Sequence, residues 1–202
     1  AQEKQLVLET VIEQCSGRVP VYAGTGCIST KETIEQSRMA QAAGADVLSI
    51  ITPSFAAASQ NELYTHYKAV TEAVDMPIVL YNIPARTGNA LAPATVAKLA
   101  KIDNIVGAKD SSGNFTNILS YIDAGKAKGN GAFHTLSGND QLIIWTLLAG
   151  GAGGIAGCAN VYPHTLSSVY DLFMAGRVDE AITANESIGA LRDCFQYGNP
   201  NT

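Results

Sequence analysis

Asn104-Ile-Val-Gly-Ala-Lys-Asp110 is a short apolar run that stops at two charges. Five comparable runs accompany it: Val19-Pro-Val-Tyr-Ala23, Val47-Leu-Ser-Ile-Ile-Thr52, Pro77-Ile-Val-Leu-Tyr81, Phe133-His-Thr-Leu-Ser137 and Gly153-Gly-Ile-Ala156. They recur at intervals of about 20 to 30 residues, the length of one strand-plus-helix unit. A strand that is apolar along its whole length is buried on both faces, the condition of a parallel sheet covered by helices. Between the runs the period changes to that of a helix, at Ile34, Arg38-Met39 and Ala42, and again at Leu63, Tyr67, Val70 and Val74. Ser29-Thr-Lys-Glu32 and Ser59-Gln-Asn-Glu62 read as capping boxes, while Pro93 and Pro163 suit the first turn of a helix. The reading is an α/β chain: an opening helix over about 4–15, six βα units, and one closing helix over about 178–197.

Six consecutive parallel units fit either an open doubly wound sheet or most of a (β/α)8 barrel. Gly151-Ala-Gly-Gly-Ile-Ala156 matches the dinucleotide pattern G-x-G-x-x-A, but it follows an apolar helix (Leu142–Leu148) and leads into a strand. Binding a pyrophosphate needs the opposite order, strand first and helix second. These glycines therefore read as a helix-to-strand turn.

Composition narrows the function classes. Of the 202 residues 47% are hydrophobic and only 15% charged, against roughly 25% charged in ordinary soluble domains. Such a chain is neither disordered nor a coiled coil. Its net charge is -5 and no basic run exists to neutralise phosphates, so no nucleic-acid partner is expected. The stretch Gln141–Ala149 falls well short of the roughly 20 apolar residues that span a bilayer, and the first residues carry no signal-peptide pattern. No membrane partner is expected, and a cytoplasmic location is. Cys15, Cys27, Cys158 and Cys194 are scattered and read as reduced thiols. His66, His134 and His164 show no ligand spacing, so no metal is expected. Asn114-Phe-Thr116 and Asn185-Glu-Ser187 read as chance matches to the glycosylation pattern.

Lys109 ends its apolar run, on the same face of the strand as Ile105 and Gly107. Gly107 beneath it is expected to leave room for something to approach. An amine in apolar surroundings titrates below the reference value of about 10.4, and a neutral amine is what Schiff-base chemistry needs. The other reading is a strand-end lysine that reaches solvent. The C-terminal end of a strand, where barrel enzymes keep their chemistry, favours the first. Leu80-Tyr81-Asn-Ile-Pro-Ala-Arg86-Thr-Gly88 follows the preceding strand. Tyr81 can relay a proton or serve as a core aromatic. Arg86, in a loop shaped by Pro and Gly, can clamp a carboxylate or remain a surface charge.

With these residues the chain resembles the dihydrodipicolinate synthase and N-acetylneuraminate lyase family of pyruvate-dependent class I aldolases. The resemblance extends over Ala23-Gly-Thr-Gly26, Ala43-Gly-Ala-Asp46, Thr52-Pro53, Leu80-Tyr-Asn82, Arg86-Thr-Gly88, Gly107-Ala-Lys-Asp-Ser-Ser-Gly113, Ser137-Gly138 and Gly153-Gly-Ile155. It implies a carbon–carbon lyase on a (β/α)8 barrel, with residues 1–176 supplying strands three to eight and 177–202 the start of a C-terminal helical segment. The family's first two strands, and the threonine loop after the second, are expected to be absent.

The resemblance also implies roles. Lys109 forms the Schiff base with pyruvate and Tyr81 shuttles protons. Gly138 and the Ile155 backbone border the keto acid, with Asn139 beside them. Arg86 holds the carboxylate of aspartate semialdehyde, which points to the synthase branch and lysine biosynthesis. No separate cofactor is implied, and a homotetramer is. Two residues depart from the synthase pattern. Ser54-Phe55 stands where synthases have a tyrosine, and Asn139-Asp140 where they have an acidic pair. These departures leave two alternatives: an aldolase for 2-keto-3-deoxy sugar acids, or a non-catalytic barrel fragment.

Overall fold

All six apolar runs become strands in the computed structural model, which describes residues 2–128 and 133–198. The described chain divides into two compact units. One comprises the chain up to Ala108 with 123–134, and the other comprises Lys109–Ile122 with the chain from Thr135 onward.

The first unit runs α1 (Gln2–Cys15), β1 (Tyr22–Gly24), α2 (Thr30–Ala43), β2 (Val47–Ile51), α3 (Gln60–Thr71), β3 (Ile78–Asn82), α4 (Pro84–Thr87), α5 (Pro93–Leu99) and most of β4 (Ile105–Asp110). β1 pairs in parallel with β2 (Tyr22 opposite Val47), and β2 with β3 (Leu48 opposite Ile78, Ile51 opposite Tyr81). β1 begins later than its apolar run because Pro20 has no N–H for a ladder. β3 is buried on both faces, with Ile78, Val79 and Leu80 all within 2% of complete burial. That is the pattern the continuous apolar run requires.

The second unit holds the end of β4, most of α6 (Phe115–Lys126), all but the first residue of β5 (His134–Ser137), a 3-10 turn at Asp140–Leu142, α7 (Ile143–Leu148) and β6 (Gly153–Gly154). A second 3-10 turn (Gly157–Asn160) leads to α8 (Pro163–Met174), α9 (Val178–Glu186), α10 (Gly189–Asp193) and a last turn at Cys194–Tyr197. β5 and β6 are parallel, Leu136 opposite Gly153. The six strands follow the hydrogen-bonded order β1-β2-β3-β4-β5-β6. Consecutive parallel strands, each followed by a helix, are the βα order expected of an α/β chain.

Several local expectations change. The closing helix is broken after Glu186, where the Ser187 hydroxyl donates to the Ala184 carbonyl and Gly189 adds backbone freedom. β6 keeps two of four residues; Gly150 (φ 92°) lies in the helix-to-strand turn before it, and Gly153 (φ 122°) opens the strand. The reciprocal capping box is complete at Ser59, where Glu62 also accepts from the Ser59 N–H. At Ser29 the Glu32 carboxylate takes the serine hydroxyl instead. The space under Gly107 is filled from within the first unit. A Cβ there would collide with the His134 carbonyl, so the glycine admits a neighbouring strand and not a ligand.

His66 of α3 is 6% exposed, with Nδ1 2.9 Å from Thr30 Oγ1 and Nε2 without a hydrogen-bond partner. Burial pushes its pKa down to about 4. The folded chain then binds fewer protons than the unfolded one between pH about 4 and 6.5, so stability falls as pH drops through that window. The His66 contribution is fully present above pH 6.5 and amounts to at most about 3 kcal/mol. Unfolding curves for the wild type and His66→Gln, measured from pH 7.5 to 4, are expected to diverge. The wild type should lose stability more steeply, and parallel curves would show that His66 does not titrate there.

Candidate active site

Lys109 and Asp110 close β4. The Asp110 side chain is completely buried and folds the chain that follows. Its Oδ1 accepts from the Ser112 N–H (3.0 Å) and the Ser112 hydroxyl (2.5 Å), and its Oδ2 accepts from Asn117 Nδ2 (2.6 Å). Asn114 Oδ1 then accepts from the Thr116 N–H and starts α6. The turn is therefore pinned to the strand end, and Lys109 itself is half-buried.

The end of β5 lies against that lysine. The Gly138 N–H donates to the Asp110 carbonyl at 2.7 Å. A Cβ on Gly138 would stand 2.8 Å from Lys109 Cε and would also strike the Ser111 side chain. The glycine leaves room for both the Ser111 side chain and the lysine stem. The Ser137 hydroxyl donates to the Asn139 carbonyl (2.8 Å) and accepts from the Asn139 N–H (3.1 Å), and Asn139 Oδ1 caps the next turn through the Gln141 N–H. The Ile155 N–H is committed to the Ser137 carbonyl (2.9 Å), so what Ile155 offers a ligand is its carbonyl and side chain. The second unit thus gathers Lys109, Gly138, Asn139 and Ile155 at the ends of β4, β5 and β6.

Tyr81 and Arg86 belong to the first unit. Tyr81 is half-buried near the C-terminal end of β3, in register with Ile51. Arg86 is exposed, and its surroundings are not a loop but the single helical turn α4, closed by Gly88 at φ 77°. Neighbouring polar groups hold this region. Thr52 Oγ1 donates to Thr87 Oγ1 (2.8 Å), and Asn89 Nδ2 donates to the Pro53 and Ala56 carbonyls, each at 2.8 Å. Asn89 Oδ1 accepts from the Ala58 N–H. Between these anchors Phe55 is 95% exposed at φ 79°. A bulky residue in that conformation needs the anchoring that Asn89 supplies.

Sequence reasoning missed Asn89, and it missed the partner of Asp140. Asp140 is 2% exposed, and Arg192 Nη1 donates to its Oδ2 at 3.1 Å, from 52 positions away. Nothing local in the sequence signals that bond. The buried Cys158 thiol is pushed up to about 11 by burial, with the Asp140 carboxylate beside it adding to the shift. It stays protonated and is no nucleophile. Among the described residues no three His, Cys, Asp or Glu side chains group so as to hold a metal, and no helix is long and apolar enough to cross a membrane. A cavity of about 430 Å³ between α1 and β1, lined by Val7, Leu8, Val11, Val21 and Met39, contains none of the candidate residues.

Fold and site together define a class: a parallel α/β chain that presents a lysine at a strand end, with its stem laid over a glycine. The comparison with known proteins is specific. Residues 1–202 match the Dihydrodipicolinate synthetase family throughout, and the chain belongs to that family. It is 33% identical over 200 residues to a 4-hydroxy-tetrahydrodipicolinate synthase of Clostridium novyi (strain NT), covering 98% of this chain and 66% of the relative. It is 41% identical over 180 residues to the protein of that name from Geotalea uraniireducens (strain Rf4), covering 89% and 61%. The chain thus spans just under two thirds of the length of these curated relatives. Among solved structures it is similar to the chloride-inhibited dihydrodipicolinate synthase from Acinetobacter baumannii complexed with pyruvate. The TM-score there is 0.91 at 37% identity, over 98% of this chain and 67% of that one.

Proposed function

We propose that this chain carries the Schiff-base centre of a 4-hydroxy-tetrahydrodipicolinate synthase. The observation that supports it most is the Lys109 stem lying over Gly138 at the end of a parallel strand, in a member of this family. The Lys109 amine adds to the keto carbon of pyruvate and expels its oxygen as water, leaving an iminium. Loss of a methyl proton gives the enamine, whose carbon attacks the aldehyde of aspartate semialdehyde. The aldehyde oxygen takes up a proton, and the amine of the semialdehyde then displaces Lys109 and closes the ring. Tyr81 carries protons in these steps, and Arg86 binds the semialdehyde carboxylate through its planar fork. Gly138, Asn139 and Ile155 border the keto acid. The electron sink is the lysine adduct itself, so these steps call on no separate cofactor. A cytoplasmic homotetramer belongs to the same proposal.

A sugar-acid aldolase is the second reading, because Phe55 lacks a hydroxyl and Asn139 is neutral. Arg86 separates the two. Arg86→Ala is expected to raise KM for aspartate semialdehyde about tenfold to a hundredfold, with pyruvate trapping retained. A steady-state assay of the intact protein with pyruvate and a panel of aldehydes measures this. Turnover of a keto-deoxy sugar acid without turnover of aspartate semialdehyde would select the second reading. Absence of both pyruvate trapping and turnover would select a non-catalytic role.

A further inference from the structure

The turn that follows Gly138-Asn139 is gripped twice from the C-terminal helices. Arg192 of α10 donates to Asp140 Oδ2 at 3.1 Å, and Asn185 Oδ1 on α9 accepts from the Ile144 N–H at 3.2 Å. Asn185 is 3% exposed and its Nδ2 also points to the Gln141 carbonyl, at 3.5 Å. The Asp140 carboxylate has little other support: its Oδ1 is buried with no hydrogen-bond partner, and the buried Cys158 thiol is the other group beside it. Arg192 is three-quarters buried and stacks over Phe195 at 5.5 Å, so its guanidinium is held on both sides. On the other side of the turn, the Asn139 carbonyl accepts from the Ser137 hydroxyl and the Leu142 N–H, so a shift at Asp140–Leu142 passes directly to Gly138.

We infer that Arg192 is a positioning residue for the Lys109 centre: through Asp140 it holds the 137–142 turn so that Gly138 and Asn139 keep their places against the lysine. This rests on the Schiff-base reading above. The C-terminal helices then contribute to the chemistry without touching substrate. The ion pair is mostly buried, and removing its cation leaves a buried carboxylate with only the Cys158 thiol beside it, which moves the turn. A displacement of about 1 Å at a reacting group is enough for a large loss of rate.

The test is the rate constant for borohydride trapping of pyruvate, per folded molecule of intact protein, together with KM for pyruvate. Arg192→Met is expected to slow trapping and raise KM, each about tenfold, and Arg192→Lys to recover to within about threefold. Arg177→Met, which breaks the exposed Arg177–Glu180 pair of the same unit, should leave both unchanged. If Arg192→Met does not fold, the double variant Arg192→Met/Asp140→Asn leaves no charge buried and is still expected to trap about tenfold slower. Wild-type trapping and KM in either folded variant, even with a lowered melting temperature, would overturn the positioning role and leave the Schiff-base reading intact. A wild type that traps no pyruvate would overturn that reading and this inference with it.

Discussion

Lys109→Arg is expected to abolish pyruvate trapping altogether, while the melting temperature changes by only a few degrees. The two side chains are close in length and flexible, so the half-buried strand end should tolerate the exchange. What differs is the lone pair. A guanidinium stays protonated at every pH a protein survives, and it has no amine nitrogen to add to a keto carbon. Peptide mass spectrometry after borohydride reduction should show one pyruvate-derived adduct, on the wild-type peptide containing Lys109. The exposed Lys98 and Lys101 serve as internal controls. A label on either of them, or persistent labelling of the arginine variant, would remove Lys109 from the mechanism.

Gly138→Ala is expected to slow trapping about a hundredfold, although it adds a single methyl group to a residue that does no chemistry. The new carbon would collide with Ser111 Oγ and lie 2.8 Å from Lys109 Cε and 2.9 Å from Ser111 Cβ. Backbone retreat is opposed by the bond from the Gly138 N–H to the Asp110 carbonyl and by the Ser137–Asn139 pair of bonds. The Ser111 hydroxyl and the flexible lysine stem therefore both give way, and the stem takes its amine off the reaction axis. Adding Ser111→Gly relieves the serine collisions but not the lysine one, so recovery should be partial. Full trapping by Gly138→Ala alone would show that the lysine reaches its substrate by another path.

The parts of the molecule that were legible in advance are those whose cause is local. β3 and β4 follow from unbroken apolar runs, α5 and α8 from prolines that pre-set the first turn, and α3 from its Ser59 capping box. Lys109 stands out for the same reason: a charge at the end of an apolar strand is visible without a structure. The errors also have local causes that compete closely. The break after Glu186 depends on a serine bonding back to its own helix, and Arg86 lies on one helical turn only four residues long. Gly107 signals in the sequence only that something comes close, and the structure shows that it is the His134 main chain.

Read alone, the sequence determined the alternation of strand and helix, the parallel order and the candidate lysine, since each is set by period, by caps and by burial over a few neighbouring residues. Tertiary structure alone decided which groups constrain the site. Gly138 needs to be glycine because of where the Ser111 side chain and the Lys109 stem lie, 27 and 29 positions earlier in the chain. Asn89 matters because three main-chain groups of residues 53–58 come within 2.8 Å of its amide. Arg192 matters because α10 packs where its guanidinium meets a buried carboxylate. These are single contacts between distant segments, formed only when packing brings both ends together. They leave no period in the sequence, so the chain's own pattern cannot announce them.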